Sequence, residues 1–241
     1  MADPGSDDGF LYAALGDSIS IDLYAGGAGR GGPSLLTRNR DDDFPQWRGH
    51  DLVTRHPGAR LELLAVDGGT VPTVLEAQLP QLARLGRRPD LVTLTVGGND
   101  LLQAYGDTGL ARAVVRRVRA GVDRALGGLR ELAPDAALLV GTVYDPSDGT
   151  GDAIALGLPP WPDAVAVLGE LNEALRTVAQ AHEARVAEIH GAFLGHGVRA
   201  GDPRGDEPRP DQRDLWFCSV IEPNAWGAGG VRAAFWEALT A

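Results

Sequence analysis

The tripeptide Gly16-Asp17-Ser18 closes the apolar run Phe10-Leu11-Tyr12-Ala13-Ala14-Leu15. A short hydrophobic run that breaks into small polar residues reads as a buried strand opening into a loop. In an open parallel sheet such loops line the ligand crevice, so Ser18 would present its hydroxyl where acyl transfer can occur. A serine nucleophile needs a base to take its proton and donors aimed at the oxyanion that develops. Taken alone the tripeptide also fits an ordinary turn, and the residues downstream must supply the rest of the chemistry.

Three later segments do so. Leu63-Leu64-Ala65-Val66-Asp67-Gly68-Gly69-Thr70 and Leu91-Val92-Thr93-Leu94-Thr95-Val96-Gly97-Gly98-Asn99-Asp100 each run from an apolar stretch into a glycine turn, and Ile221-Glu222-Pro223-Asn224-Ala225-Trp226-Gly227 precedes a helix near the C-terminus. In this order, from about residue 10 to 240, the segments resemble the sequence blocks of the SGNH (GDSL) hydrolases. The resemblance implies an acyl-Ser18 intermediate, a small-molecule ester or acyl substrate and no cofactor. It also implies an oxyanion hole made by the Ser18 amide, the Gly68 amide and the Asn99 side chain. Glycine suits its role because nothing blocks approach to its N–H. Asparagine suits its role because its amide donates without carrying a charge. A tight turn after a buried strand is the plainer explanation of Gly97-Gly98-Asn99-Asp100.

The last block departs from the family pattern, which is usually Asp-x-x-His-Pro-Asn. Aligned on Pro223-Asn224, the histidine position holds Glu222 and the aspartate position holds Ser219. A Ser18–Glu222 dyad is physically possible. With ordinary pKa values of about 4.3 and 6.5, Glu is the poorer proton acceptor by roughly 3 kcal/mol. Burial that raises the carboxyl toward about 6–7 recovers most of the difference. Ser219 can at most hydrogen-bond Glu222, and Asp17 is a second candidate for support. Two rival readings stay open: a catalytically lapsed domain that binds a ligand or protein in the old pocket, and another reaction type in which Glu222 acts as base on the substrate itself. A purely structural Glu222, organising the turn before the last helix, fits the first rival.

Of the five histidines, His50, His56, His182, His190 and His196, the last two follow the final strand candidate. His196, in Gly195-His196-Gly197, is the supporting candidate taken from them. No pair has zinc-ligand spacing, so no metal is expected. Cys218 has no neighbouring histidine and reads as a small buried residue.

The elements that must position these residues alternate. Apolar runs at 10–16, 60–66, 90–96, 136–142 and 185–190 are separated by amphipathic segments, which predicts a parallel sheet of about five strands covered by helices; the SGNH resemblance implies that it is a flavodoxin-like α/β/α sandwich. Thr70 caps a helix with Val71, Val74, Leu75, Leu79 and Leu82 on one face and a kink or split expected at Pro80. A longer helix carries the stripe Leu110, Val114, Val118, Val122, Leu126, with Arg112, Arg116, Arg117, Arg119 and Arg124 mostly off it on a solvated face. Leu168, Leu171, Leu175 and Val178 mark a third helix, and residues 228–240 a last one. Segments 22–50 and 197–214 read as long loops that could shape the pocket.

Composition bounds the rest. The chain of 241 residues fits one domain over 10–241, behind a loose acidic tail at 1–9. Net charge is −11 and all 22 basic residues are arginine, which argues against nucleic acid and anionic membranes as partners. The absence of lysine removes Schiff-base and P-loop mechanisms. No apolar stretch approaches a membrane span. The single Cys218 fits a reducing compartment, so a cytoplasmic protein is expected. Oligomeric state leaves no trace in the sequence.

Overall fold

The computed structural model describes residues 9–200 and 215–241. The acidic start up to residue 8 and the 201–214 part of the second loop reading lie outside the described residues.

Five strands form the sheet: β1 (Leu11–Gly16), β2 (Arg60–Leu63), β3 (Leu91–Thr95), β4 (Ala137–Gly141) and β5 (Arg185–Ala187). Their order is β2-β1-β3-β4-β5 and every pairing is parallel. Every residue of β1 and β3 is buried, whereas the edge strands β2 and β5 are short and partly exposed. That contrast follows from a sheet covered on both faces, whose central strands are near-continuously apolar and whose buried hydroxyls, Thr93 and Thr95, are hydrogen-bonded.

The helices fall in chain order as α1 (Gly32–Thr37), α2 (Leu52–Arg55), α3 (Val71–Thr73), α4 (Leu79–Ala83), α5 (Gly98–Leu102), α6 (Thr108–Leu132), α7 (Ala164–Ala181), α8 (Ile189–Phe193) and α9 (Ala225–Thr240). Alternation along β1 sends Ala13 and Leu15 into one core with Val71, Val118, Val122, Leu126 and Leu171. Tyr12 and Ala14 enter the other, with Leu36, Phe193, Val231 and Phe235. The result is the expected three-layer α/β/α sandwich. The chain moves to β2 on one side of β1 and to β3 on the other, so the crevice opens where their carboxyl ends diverge. Ser18 stands immediately past β1, at that point. No described helix is long and apolar enough to cross a membrane.

Several expectations need correction. The Pro80 kink is instead a π-helical segment, Val74–Gln78, that runs directly into α4, so the irregularity lies before the proline. On α6, Val114, Val118, Val122 and Leu126 are buried and the arginines face solvent, but Leu110 is exposed because it sits in the first turn beyond the edge of the core. The 185–190 run stops as a strand at Ala187 and turns into α8 at Ile189. Segment 22–50 is not a featureless loop: it contains α1 and a 3₁₀ turn at Pro45–Trp47. Its Leu35 and Phe44 pack on Ala228 of α9, away from the crevice.

A two-stranded antiparallel hairpin, β6 (Phe217–Cys218) and β7 (Glu222–Pro223), precedes α9. Asn224 explains why that helix begins where it does. Its side-chain oxygen accepts the N–H groups of Trp226 and Gly227, and its amide donates to the carbonyls of Leu215 and Phe217.

Candidate active site

The end of β1 is held from several directions. The N–H of Gly16 donates to Gln78 Oε1 and its carbonyl accepts from Gln78 Nε2, both at 2.8 Å. Gly16 has φ +125°, and a Cβ there would lie 1.9 Å from the Thr95 carbonyl oxygen, so only glycine fits. The Asp17 N–H donates to that same carbonyl at 3.0 Å. The Asp17 carboxylate accepts from Ile19 N–H at 3.2 Å and from the Thr95 hydroxyl at 2.9 Å, capping the single turn Ser18–Ser20. Asp17 is 1% exposed, and burial pushes its carboxyl up to about 7 against the hydrogen bonds from Thr95 and Ile19, with the Glu222 charge adding to the rise. Asp17 thus supports Ser18 through the backbone. Neither Ser18 N–H nor Gly68 N–H has an acceptor among the described residues.

The glycine turn after β2 presses against this corner. Gly68 has φ +66°, and the Gly69 N–H closes the turn on the Val66 carbonyl at 3.1 Å. A Cβ on Gly69 would meet the Gly16 carbonyl oxygen at 2.4 Å, which measures how closely the two loops approach. Asn99, in the first turn of α5, donates one amide hydrogen to the Gly69 carbonyl at 3.0 Å and keeps its second. Asp100 takes the Val71 N–H at 3.1 Å and ties α5 to the start of α3. The structure therefore gathers Ser18, Gly68 and Asn99 at one corner, two of them as lining residues of one cleft.

Glu222 comes up from the other side, on β7 opposite Cys218. Its half-buried carboxyl lies near Ser18. Burial raises its pKa, the nearby Ser18 hydroxyl lowers it, and the charge of Asp67 raises it again. Oε2 of Glu222 is buried and has no hydrogen-bond partner among the described residues. The hairpin turns through Ser219 (φ +45°) and Val220 (φ +76°), a conformation that a β-branched residue adopts only under strain. Tyr144 Oη donates to the Ile221 carbonyl at 2.5 Å and anchors the turn. On the outer side, Cys218 Sγ lies 3.6 Å from the Tyr24 carbonyl, and Tyr24 Oη donates to Asp67 at 3.1 Å. Cys218 is half-buried rather than buried.

Two candidate supports do not reach the site. The Ser219 side chain makes no hydrogen bond to Glu222 among the described residues; its backbone turns at φ +45° and its carbonyl accepts from Ile221 N–H. His196 stacks face to face on Trp216 at 3.6 Å. The other histidines are also occupied elsewhere: His50 against Trp236, His56 against Phe10, His182 on Asp123 and His190 at the Val143 carbonyl. No histidine lines the cleft.

The cleft extends from Ser18 across β3 toward β4. Its walls are Leu101, Leu102, Val143, Trp161, Leu168 and Ile221. Polar tips are turned away: Tyr105 Oη donates to the Pro159 carbonyl at 2.6 Å and Trp161 Nε1 to Thr108 Oγ1 at 3.1 Å. Much of this wall belongs to the connection between β4 and α7, shaped by Asp145 accepting the N–H groups of Ser147 and Gly149. Neither of the loops read from the sequence as pocket-forming lines the cleft within the described residues. The Asp-rich Tyr144–Asp152 stretch, full of Asx-turn residues, is the sequence signal for this connection that went unread.

Residues 14–228 match the GDSL-like lipase/acylhydrolase family. Lipase 2 of Streptomyces coelicolor is 27% identical over 254 aligned positions, covering 90% of this chain and 81% of that protein. A lipase of Streptomyces rimosus is 26% identical, covering 80% of this chain and 74% of its own length. Among solved structures, the extracellular lipase of Streptomyces rimosus superposes with a TM-score of 0.65 at 24% identity, over 95% of this chain and 99% of that one. Phospholipase A1 of Streptomyces albidoflavus does so with 0.64 at 21% identity, over the same shares of each chain. These likenesses carry the fold.

Proposed function

Because the chain belongs to the GDSL-like lipase/acylhydrolase family, we propose that it cleaves an acyl ester through Ser18 with Glu222 as general base. The observation that carries this reading is the Glu222 carboxyl. Asn224, not Glu222, organises the turn and the helix start, and the partly buried Glu222 carboxyl lies close enough to Ser18 for that hydroxyl to lower its pKa.

The reaction follows from those positions. Glu222 takes the Ser18 proton as Oγ attacks the ester carbonyl, and the unpaired N–H groups of Ser18 and Gly68 with the free amide hydrogen of Asn99 receive the oxyanion. The protonated Glu222 returns its proton to the departing alkoxide, leaving an acyl-Ser18. Water, deprotonated by the same carboxylate, then releases the acid. The apolar cleft beside Ser18 suits the hydrocarbon part of the substrate. Burial and Asp67 both raise the Glu222 pKa, which makes its carboxylate a stronger base than an exposed one. The lone Cys218 is the basis for placing the protein in the cytoplasm.

The absence of any histidine from the cleft favours the second reading, a lapsed hydrolase that retains the pocket for binding. Hydrolysis of short p-nitrophenyl esters separates the two. The dyad reading expects turnover in the wild type, lost in Ser18→Ala and in Glu222→Gln, which keeps the shape but cannot accept the proton. A folded wild type without turnover favours the lapsed reading.

A further inference from the structure

One buried side chain ties the hairpin that carries Glu222 to the end of β4. Tyr144 stands three residues past that strand. Its ring stacks on Phe193 of α8, with centroids 4.6 Å apart, and meets Phe217 of β6 edge-on at 5.0 Å. Its hydroxyl donates to the Ile221 carbonyl at 2.5 Å. That carbonyl belongs to the peptide unit leading directly into Glu222. The unit is planar, so holding its oxygen fixes the plane on which the Glu222 Cα lies and limits where the carboxyl can swing. Tyr144 is itself held. The buried Asn172 of α7 accepts the Val143 N–H at 2.7 Å and donates to the Val143 carbonyl at 2.8 Å. Gln78 applies the same two-way amide clamp to Gly16, just before Ser18. Glu222 has no comparable hold of its own: its Oε2 is buried without a partner among the described residues, and the ladder that carries it is two residues long.

We infer that Tyr144 is a positioning residue for the reaction: its hydrogen bond to the Ile221 carbonyl sets how the Glu222 carboxyl stands to Ser18, so that losing the bond slows proton transfer without weakening substrate binding. The inference rests on reading the site as an acyl-ester hydrolase. Tyr144 is not a catalytic residue, because its one hydroxyl hydrogen is committed to the carbonyl. Burial first, and then the charges of Glu222, Asp17 and Cys218, push that hydroxyl well above the ordinary tyrosine range, so the donor is present at every working pH. The titratable groups around Glu222 are Asp17 and Asp67 from the turns after β1 and β2, with Tyr24, Tyr144 and Cys218, and none of these is a cation. Tyr144→Phe therefore removes a neutral hydroxyl and no charge. It also keeps the ring that lines the cleft with Ile221, so the apolar wall that meets the substrate is preserved.

The test compares Tyr144→Phe with Tyr12→Phe, which also loses a buried tyrosine hydroxyl bond, to Thr93 on β3, away from the hairpin. With p-nitrophenyl butyrate, Tyr144→Phe should lower kcat by about 10–100-fold at nearly unchanged KM, the effect of displacing a reacting group by about 1 Å. Tyr12→Phe should leave kcat unchanged. Released from its anchor, Glu222 reaches water, so its titration midpoint should fall toward the ordinary glutamate value in Tyr144→Phe and stay in place in Tyr12→Phe. NMR of the side-chain carboxyls reads that midpoint directly, with the Glu222 signal identified by its loss in Glu222→Gln. A general loss of stability lowers kcat through the folded fraction but does not move the midpoint. The proposal is overturned if Tyr144→Phe keeps the wild-type kcat, if it raises KM instead, or if the Glu222 midpoint stays where it was. Turnover by the wild type with an unaffected Tyr144→Phe rejects the positioning role and keeps the site reading. An inert wild type rejects the site reading, and the Glu222 midpoint alone then decides whether Tyr144 holds the carboxyl.

Discussion

At the end of β1 the backbone that leads into Ser18 is held by buried partners while the Ser18 N–H is left without an acceptor among the described residues: Gln78 clamps Gly16, Thr95 holds Asp17 by backbone and side chain, and Asp17 caps the turn. The hairpin that brings up Glu222 is built on different terms. Its paired strands are two residues each, its turn passes through two non-glycine residues with positive φ, and its inner face is anchored by the bond from Tyr144. The Ser18 side is over-determined, whereas the Glu222 side is a strained projection whose carboxyl oxygen Oε2 has no partner among the described residues. A substitution on the first side should therefore change stability as well as chemistry. On the second side, chemistry should change with little effect on the fold.

The largest effect expected is at Gly16. Gly16→Ala forces a Cβ onto the Thr95 carbonyl in a backbone region closed to alanine, and should cost about 3–5 kcal/mol in chemical denaturation. If it proved neutral, the corner would be far softer than the clamp implies. Asn99→Ala should lower kcat by about 10²–10³, as loss of one oxyanion donor does, while destabilising only modestly. A drop below tenfold would remove Asn99 from the machinery.

Asp17 gives a pH signature. Its carboxyl is raised to about 7 in the folded state, chiefly by burial. Between an unfolded value near 3.9 and that folded value, the folded protein holds a proton that the unfolded chain has released. Stability contributed by the neutral acid is present at about pH 4 and is lost as pH rises toward 7. Asp17→Asn cannot ionise, so its stability relative to wild type should improve by about 2–4 kcal/mol between pH 4 and 8, read from denaturation midpoints. A flat difference would mean that Asp17 stays charged. On the hairpin side the smallest effect is expected: Val220→Gly relieves a positive φ and should alter stability by about 1 kcal/mol or less, a strain gain offset by unfolded-state entropy.

The same contrast governs what could be read in advance. The central strands were legible because burial on both faces leaves mostly apolar residues, as in Leu91-Val92-Thr93-Leu94, where the one hydroxyl is paired with Tyr12. Ser18, Gly68 and Asn99 were legible because strand-end glycine turns carry a local signature. The partners that fix them were not. Gln78 and Thr95 lie 62 and 78 positions from the residues they hold, and no local pattern marks a long-range hydrogen bond. The cleft wall was missed for a related reason: its apolar members come from α5, α7 and the β4–α7 connection, and each segment alone looks like ordinary core or loop. Segment 22–50 misled because its glycines punctuate a short helix that covers α9 rather than the crevice. Leu110 fell on the stripe by periodicity but beyond the end of the layer it would pack against.

The central claim is that Glu222 activates Ser18, and the rate of covalent labelling tests it without knowledge of the substrate. A serine-directed fluorophosphonate should add once to the wild type, on the peptide containing Ser18, as read by intact mass and fragmentation. Because only the carboxylate is a base and its pKa is raised by burial and by Asp67, the labelling rate should climb with pH through a midpoint above the ordinary glutamate value. Glu222→Gln, folded by circular dichroism, should label slowly and without that midpoint. A wild type that stays unlabelled, or a Glu222→Gln variant that labels at the wild-type rate across the same pH range, would contradict the account.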